Sequence, residues 1–180
     1  MKALAAVVLS LATFVPALAL ALAAPKLVSN HQDWNLYMVE GGEKLCYIAS
    51  EPKKQEGNYK SRGNPFIIVA RIPANPPIDE VSVRVGYTYK KGSEVAVQID
   101  GTALSFFTSD EQAWAKSSED DKKAINAMRR GREAVVRATS TRGTNSIDTY
   151  SLSGFTDAYN ALSATCGGTA SLATPPVYRG

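Results

Sequence analysis

The chain has one histidine, two cysteines and little surplus charge, and each shortage removes a class of function. A single histidine, His31, cannot supply the missing ligands of a zinc site, and two cysteines 120 positions apart in sequence do not form a clustered ligand set. No metal and no cofactor is expected. Nucleophilic catalysis needs a nucleophile beside a base. The hydroxyls of Ser151-Leu152-Ser153-Gly154 lack the Gly-x-Ser-x-Gly elbow, and His31 lies far from them in sequence, in a segment without periodicity. Acidic neighbours such as Asp79-Glu80 and Asp110-Glu111 read as solvated turns more than as a glycosidase pair. Neither a phosphate loop nor interleaved basic and aromatic residues is present, and a net charge of +3 is too even for a polyanion binder, so nucleic acid is not an expected partner.

Long apolar runs are missing too, with one exception. Met1-Lys2 precedes an apolar stretch from Ala3 to Ala24, broken only by Ser10, Thr13 and Pro16, with small residues at Ala21 and Ala23. That pattern is a signal peptide over residues 1–23, cut after Ala23 so that Pro25 avoids the +1 position. An uncleaved membrane anchor is the alternative. No cysteine near the leader's end offers a lipid acceptor, and no later window reaches the roughly 18 apolar residues of a membrane span. The expected location is the periplasm or the exterior. In such a compartment an even cysteine count suggests a disulfide between Cys46 and Cys166, two free buried thiols being the alternative.

What is present is alternation. After a flexible arm expected over 24–32, Trp34, Leu36 and Met38 share one face, Glu40-Gly41-Gly42-Glu43 turns the chain, and residues 45–50 resume the pattern. Cys46 shares a face with Ile48. Residues 51–64 read as a long exposed loop, Phe66 to Ala70 as a buried strand, and Val81, Val83 and Val85 as a half-buried one. Val95, Val97 and Ile99 lead through Asp100-Gly101 into Ala103 to Thr108. The period then lengthens. Ser117 or Ser118 precedes three acidic residues, an apolar stripe of Ala124, Ile125, Ala127 and Met128, then Arg129-Arg130 and Gly131, the charge order that a helix dipole favours. A second hairpin turns at Thr141 to Asn145, and Phe155, Ala158, Tyr159, Leu162 and Cys166 form one face of a short helix. Strands dominate, with one or two short helices. Residues 167–180 are small and proline-bearing and read as a disordered tail.

Several residues stand out as candidate sites. Arg142 and Asp148 are placed to pair across the second hairpin and fix it structurally. Tyr87, Tyr89, Lys90 and Lys91 surround a strand-turn-strand edge, and Trp114 stands in a polar segment, so these are the candidate partner contacts. Sealing of the core is the competing role for Trp114.

The order Trp34, Cys46, Val85-Gly86-Tyr87, Ile99-Asp100-Gly101, Ala113-Trp114, Ala127-Met128-Arg129, Thr141-Arg142-Gly143-Thr144, Asp148-Thr149-Tyr150-Ser151-Leu152 and Gly154-Phe155, ending at Cys166, resembles the invasion-associated locus B family of exported bacterial proteins. The resemblance spans residues 33–166. Its most specific block runs from Asp148 to Phe155, preceded by Arg142-Gly143-Thr144. It implies an all-β, mainly antiparallel, sandwich-like domain with short helices, a cell-envelope location in alphaproteobacteria, and, for some pathogenic members, a part in host-cell invasion. It implies no catalytic residues. Some members carry a further cysteine soon after the tryptophan, where this chain has Tyr37 and Met38. The reading is an exported, non-enzymatic binding protein whose partner is a protein or envelope component. A periplasmic hydrolase with an unrecognised site, and an inhibitor or chaperone-like envelope factor, are the alternatives.

Overall fold

Alternating apolar residues give each strand one face to bury, and antiparallel pairing lets successive strands bury those faces together. The computed structural model describes residues 24–40 and 45–166. Its strands are β1 (Lys26–His31), β2 (Trp34–Val39), β3 (Leu45–Ser50), β4 (Lys54–Gly57), β5 (Phe66–Ile72), β6 (Ile78–Arg84), β7 (Glu94–Ile99), β8 (Thr102–Ser109), β9 (Gln112–Trp114), β10 (Glu133–Thr139) and β11 (Asn145–Ser151). All pair antiparallel in one sheet, in the order β1-β2-β3-β5-β6-β9-β8-β7-β10-β11-β4. The leader expected over 1–23 and the tail expected over 167–180 lie outside the described residues, as does the turn at 41–44.

The sandwich-like packing is achieved by one continuous sheet that folds over a single core. Trp34, Ile48 and Val69 from its first half join Val97, Phe106, Val136 and Tyr150 from its second in one buried cluster. The chain itself stitches the halves. It leaves β3 at Ser50 and pairs in β4 with β11, where the Lys53 N–H donates to Thr149 O at 2.7 Å. The Trp34 indole N–H donates to Ser151 O at 3.1 Å, which satisfies the one polar group of a fully buried ring.

Two segments differ from the sequence reading. Residues 24–32, expected as a flexible arm, contain β1, paired with β2 from Lys26↔Met38 to His31↔Trp34. Leu27 and Val28 are exposed at this sheet edge, so the strand leaves no apolar alternation to detect and is held by backbone bonds. Its end is fixed as well, because a Cβ on Gly154 would stand 2.0 Å from His31 O. The loop expected over 51–64 contains β4, whose side chains are all exposed.

Among the described residues, two helices pack against the sheet. α1 (Ser118–Arg130) starts where Ser117 accepts the Asp120 N–H and ends at Gly131, whose N–H returns to Ala127 O. It lays its apolar stripe chiefly on β6. Ser117→Ala removes that acceptor from an orphaned N–H and is expected to cost about 1 kcal/mol, read as a lower urea midpoint at unchanged slope. α2 (Phe155–Cys166) buries Phe155, Ala158 and Leu162 against β2 and β3, with Phe155 edge-on to Trp34 at 4.8 Å. Cys166 therefore arrives over β3, where it forms a disulfide with Cys46 across a Cα–Cα distance of 6.2 Å.

Candidate functional site

The turn between β10 and β11 is rigid because its backbone groups are satisfied locally. The Gly143 N–H donates to Ser140 O at 2.9 Å, the Ser140 N–H to Thr144 O at 2.9 Å, and the Thr144 N–H to the Ser140 hydroxyl at 3.1 Å. Gly143 takes the positive φ of 78° that this turn requires. A second segment is clamped alongside. The Thr141 N–H donates to Thr88 O at 3.0 Å and the Lys90 N–H to Thr139 O at 2.9 Å, so residues 87–90 run beside the hairpin.

Residues 58–61 form the facing wall, and a buried ion pair holds them. Asp148 falls on the inward face of β11 with Ser146 and Tyr150, and its carboxylate is fully buried. Arg62 meets it with both terminal nitrogens, Nη1 to Oδ2 at 2.8 Å and Nη2 to Oδ1. The same guanidinium donates to Val85 O at 3.2 Å and Gln55 Oε1 at 2.8 Å, and lies 4.5 Å from the Tyr59 ring centroid. Burial works against the Arg62 charge, yet its bonds to Asp148 hold the pKa above the ordinary arginine value. The Gly63 N–H donates to Gly86 O at 2.8 Å, and the two backbones touch there. A Cβ on Gly86, at φ +77°, would stand 2.0 Å from Gly63 O. Gly86→Ala is expected to lose at least about 1–3 kcal/mol and to speed exchange of the Gly63 amide, because both the φ and the close approach forbid a side chain.

Between these walls lies a cleft of about 490 Å³ lined by Asn58, Tyr59, Lys60, Ser61, Tyr87, Thr88, Ser140, Thr141, Arg142 and Thr144. Hydroxyls, two tyrosines and two cations line it, without a carboxylate, imidazole or thiol among the described lining residues. Tyr87 bonds to the Ser146 hydroxyl at 2.6 Å, and burial raises its pKa more than that bond lowers it. Burial also raises Tyr89 and Tyr150 behind it. These phenols stay protonated at neutral pH; Tyr87 and Tyr89 serve as hydrogen-bonding groups, not bases, while the buried Tyr150 hydroxyl has no partner among the described residues.

The structure redistributes the candidate residues. Asp148 does not pair with Arg142; Arg62 takes both of its oxygens, and no ion pair involves Arg142 among the described residues. The reason is register: Asp148 points inward while Arg142 is exposed at the turn. Arg142 instead lines the cleft. Tyr87 does so too, whereas Tyr89 is 3% exposed and donates to Val83 O at 3.1 Å, which removes it from the surface contacts. Lys90 and Lys91 are exposed beside the hairpin. Trp114 lies outside the cleft lining, in β9, half-buried and stacked on the exposed Phe107 at 5.5 Å. Sequence reasoning missed Arg62, which looks like any other cation of a polar loop. The available signal was Asp148 itself, whose inward register between Ser146 and Tyr150 demands a buried cation.

Other polar clusters are internally closed. Arg71 grips Asp79 with two bonds of 2.6 Å while the Tyr159 hydroxyl donates to Asp79 Oδ2, which ties α2 to β5 and β6. Asp121 accepts the Val81 N–H at 2.8 Å, and Glu111 pairs with Arg84. Among the described residues, no three His, Cys, Asp or Glu side chains converge as metal ligands. No helix among them is long and apolar enough to cross a membrane.

Comparison with curated proteins finds no match. Among solved structures, the crystal structure of invasion associated protein B from Bartonella henselae is similar, with a TM-score of 0.54 at 16% identity over 78% of this chain and 98% of that one. At this identity the likeness concerns the fold. The family model described as Invasion associated locus B (IalB) protein matches residues 34–163, from the buried Trp34 of β2 to Ser163 in the last turn of α2, and by that match the chain belongs to the IalB family.

Proposed function

We propose that this protein is an exported, non-enzymatic component of the bacterial cell envelope that acts by binding, with the cleft between residues 58–61 and 140–144 as its recognition face. The observation that carries the reading is the cleft's chemistry: rigid walls, cations without acidic partners, and phenols held in the neutral form. Such a surface is suited to holding a ligand, and its described lining residues offer no nucleophile-base pair to transform one. Family membership and the Cys46–Cys166 disulfide support a location outside the cytoplasm. Lys90 and Lys91 extend the basic surface beside Tyr87, and Trp114 on Phe107 is a second, separate contact position.

The test compares capture of envelope components by the intact protein and by a Lys60→Glu/Arg142→Glu variant. Both positions are exposed, so the fold and its melting temperature are expected to stay unchanged while capture weakens at least about tenfold. Trp114→Ala, assayed alongside, reports on the second position. Unchanged capture by the charge-reversed variant contradicts the cleft assignment. Turnover of an ester, glycoside or peptide that one cleft substitution abolishes contradicts the non-enzymatic reading.

A further inference from the structure

We propose that the ligand of this cleft is an acidic oligosaccharide, a short run of sugar rings bearing carboxylate or sulfate groups. The inference rests on the reading of the cleft as a recognition face and adds the chemical class of what it takes.

Charge comes first. The Arg62 charge is spent on Asp148 beneath the wall, while Lys60 and Arg142 line the cleft with no ion-pair partner among the described residues. Two cations with no carboxylate among the described lining residues favour an anion, and a guanidinium binds a planar or tetrahedral oxyanion through paired N–H donors. The lining also discriminates among anions. Ser61, Thr88, Thr141 and Thr144 bring four hydroxyls, each able to donate and accept, beside the Ser140 hydroxyl that already accepts the Thr144 N–H, and Asn58 adds an amide. A small inorganic ion uses few of these groups; a polyhydroxylated ring uses many. Tyr59 and Tyr87 add aromatic surface of the kind that packs against the apolar C–H face of a pyranose.

Size and stiffness agree. A volume of about 490 Å³ lies well within the usual range of small-molecule sites and far exceeds one phosphate or sulfate. The hairpin turn is closed by its own hydrogen bonds, and the facing wall is tied through Arg62 and Gly63, so little ordering entropy opposes binding. A nucleic acid would find only two lining cations, too few for its phosphate density.

The oxidised protein, residues 24–180, is titrated with digalacturonate, a sulfated heparin disaccharide, neutral lactose, inorganic phosphate and a triglutamate peptide, followed by backbone amide shifts. Digalacturonate or the heparin disaccharide is expected to move the amides of residues 58–61, 87–88 and 140–144 saturably; equal binding by the two identifies the carboxylate both carry as sufficient, and tighter binding of the heparin disaccharide identifies its sulfates as contributing. Lactose and phosphate are each expected to bind at least about tenfold more weakly. Arg142→Ala is expected to lose about tenfold in affinity for the acidic sugar, with Arg142→Lys recovering part of it.

Equal affinity for lactose, equal affinity for phosphate, saturation of the same amides by triglutamate as tightly as by the sugars, or shifts confined to other surfaces would each overturn the proposal. So would failure of both acidic disaccharides to bind. If the Lys60→Glu/Arg142→Glu variant still loses envelope capture in that last case, the sugar assignment falls and the recognition face stands; unchanged capture brings down both.

Discussion

Removal of the Cys46–Cys166 bond is expected to lower stability by about 4–5 kcal/mol. The cysteines lie 120 residues apart, so the bond closes nearly the whole described domain into one loop. In the chain-entropy model a loop of that length denies the unfolded chain about this much conformational freedom. The effect is also local, because α2 rests on β2 and β3 and the bond anchors its last residue to β3. A Cys46→Ser/Cys166→Ser variant, compared with the oxidised protein in urea, is expected to show a lower midpoint and a steeper slope as its unfolded state expands. Limited proteolysis is expected to cut it first within α2. A loss below about 1 kcal/mol would place the stabilisation elsewhere.

Breaking the Arg62–Asp148 pair from one side is expected to cost about 3–5 kcal/mol. Both side chains are almost wholly buried, at 3% and 0% exposure, so Asp148→Ala leaves a guanidinium without its counter-charge in the interior. The loss of attraction is the smaller part of that cost; the stranded charge is the larger. A double variant, Arg62→Met/Asp148→Leu, removes both charges and is expected to recover most of the stability. It separates folding from function, since the walls of the cleft then lose the ties from Arg62 to Val85 O and Gln55 while the core remains closed. Equal destabilisation in the single and double variants would mean that packing, not charge, is what the pair supplies.

These two interactions differ in how far the sequence announces them. Cys46 falls in the inward register of β3 beside Ile48, and Cys166 extends the apolar stripe of α2, so both thiols are legible as facing the same core. α1 is legible for a similar reason: Ser117, the acidic first turn, Arg129-Arg130 and Gly131 each state their position in a helix locally. β1 and β9 are not. The first is an exposed edge without an apolar face, and the second has three residues, too few for a period to show. Arg62 is hidden more deeply, because its partner is 86 positions away and only tertiary contact brings the two together. The cleft inherits that difficulty. Arg142 and Tyr87 draw attention as single residues, yet their meeting across the hairpin depends on the bonds from Thr141 to Thr88 and from Lys90 to Thr139, which no periodicity encodes.

The claim that the cleft is where this protein meets its partner is tested most directly by site-specific crosslinking in intact cells. A photocrosslinking amino acid is placed at Thr144, on the cleft, and separately at Lys123, exposed on α1. The account predicts adducts from the Thr144 position that disappear when Lys60→Glu/Arg142→Glu is added, and none from Lys123. Adducts of equal yield from both positions, or adducts at Thr144 that survive the charge reversal, would contradict it.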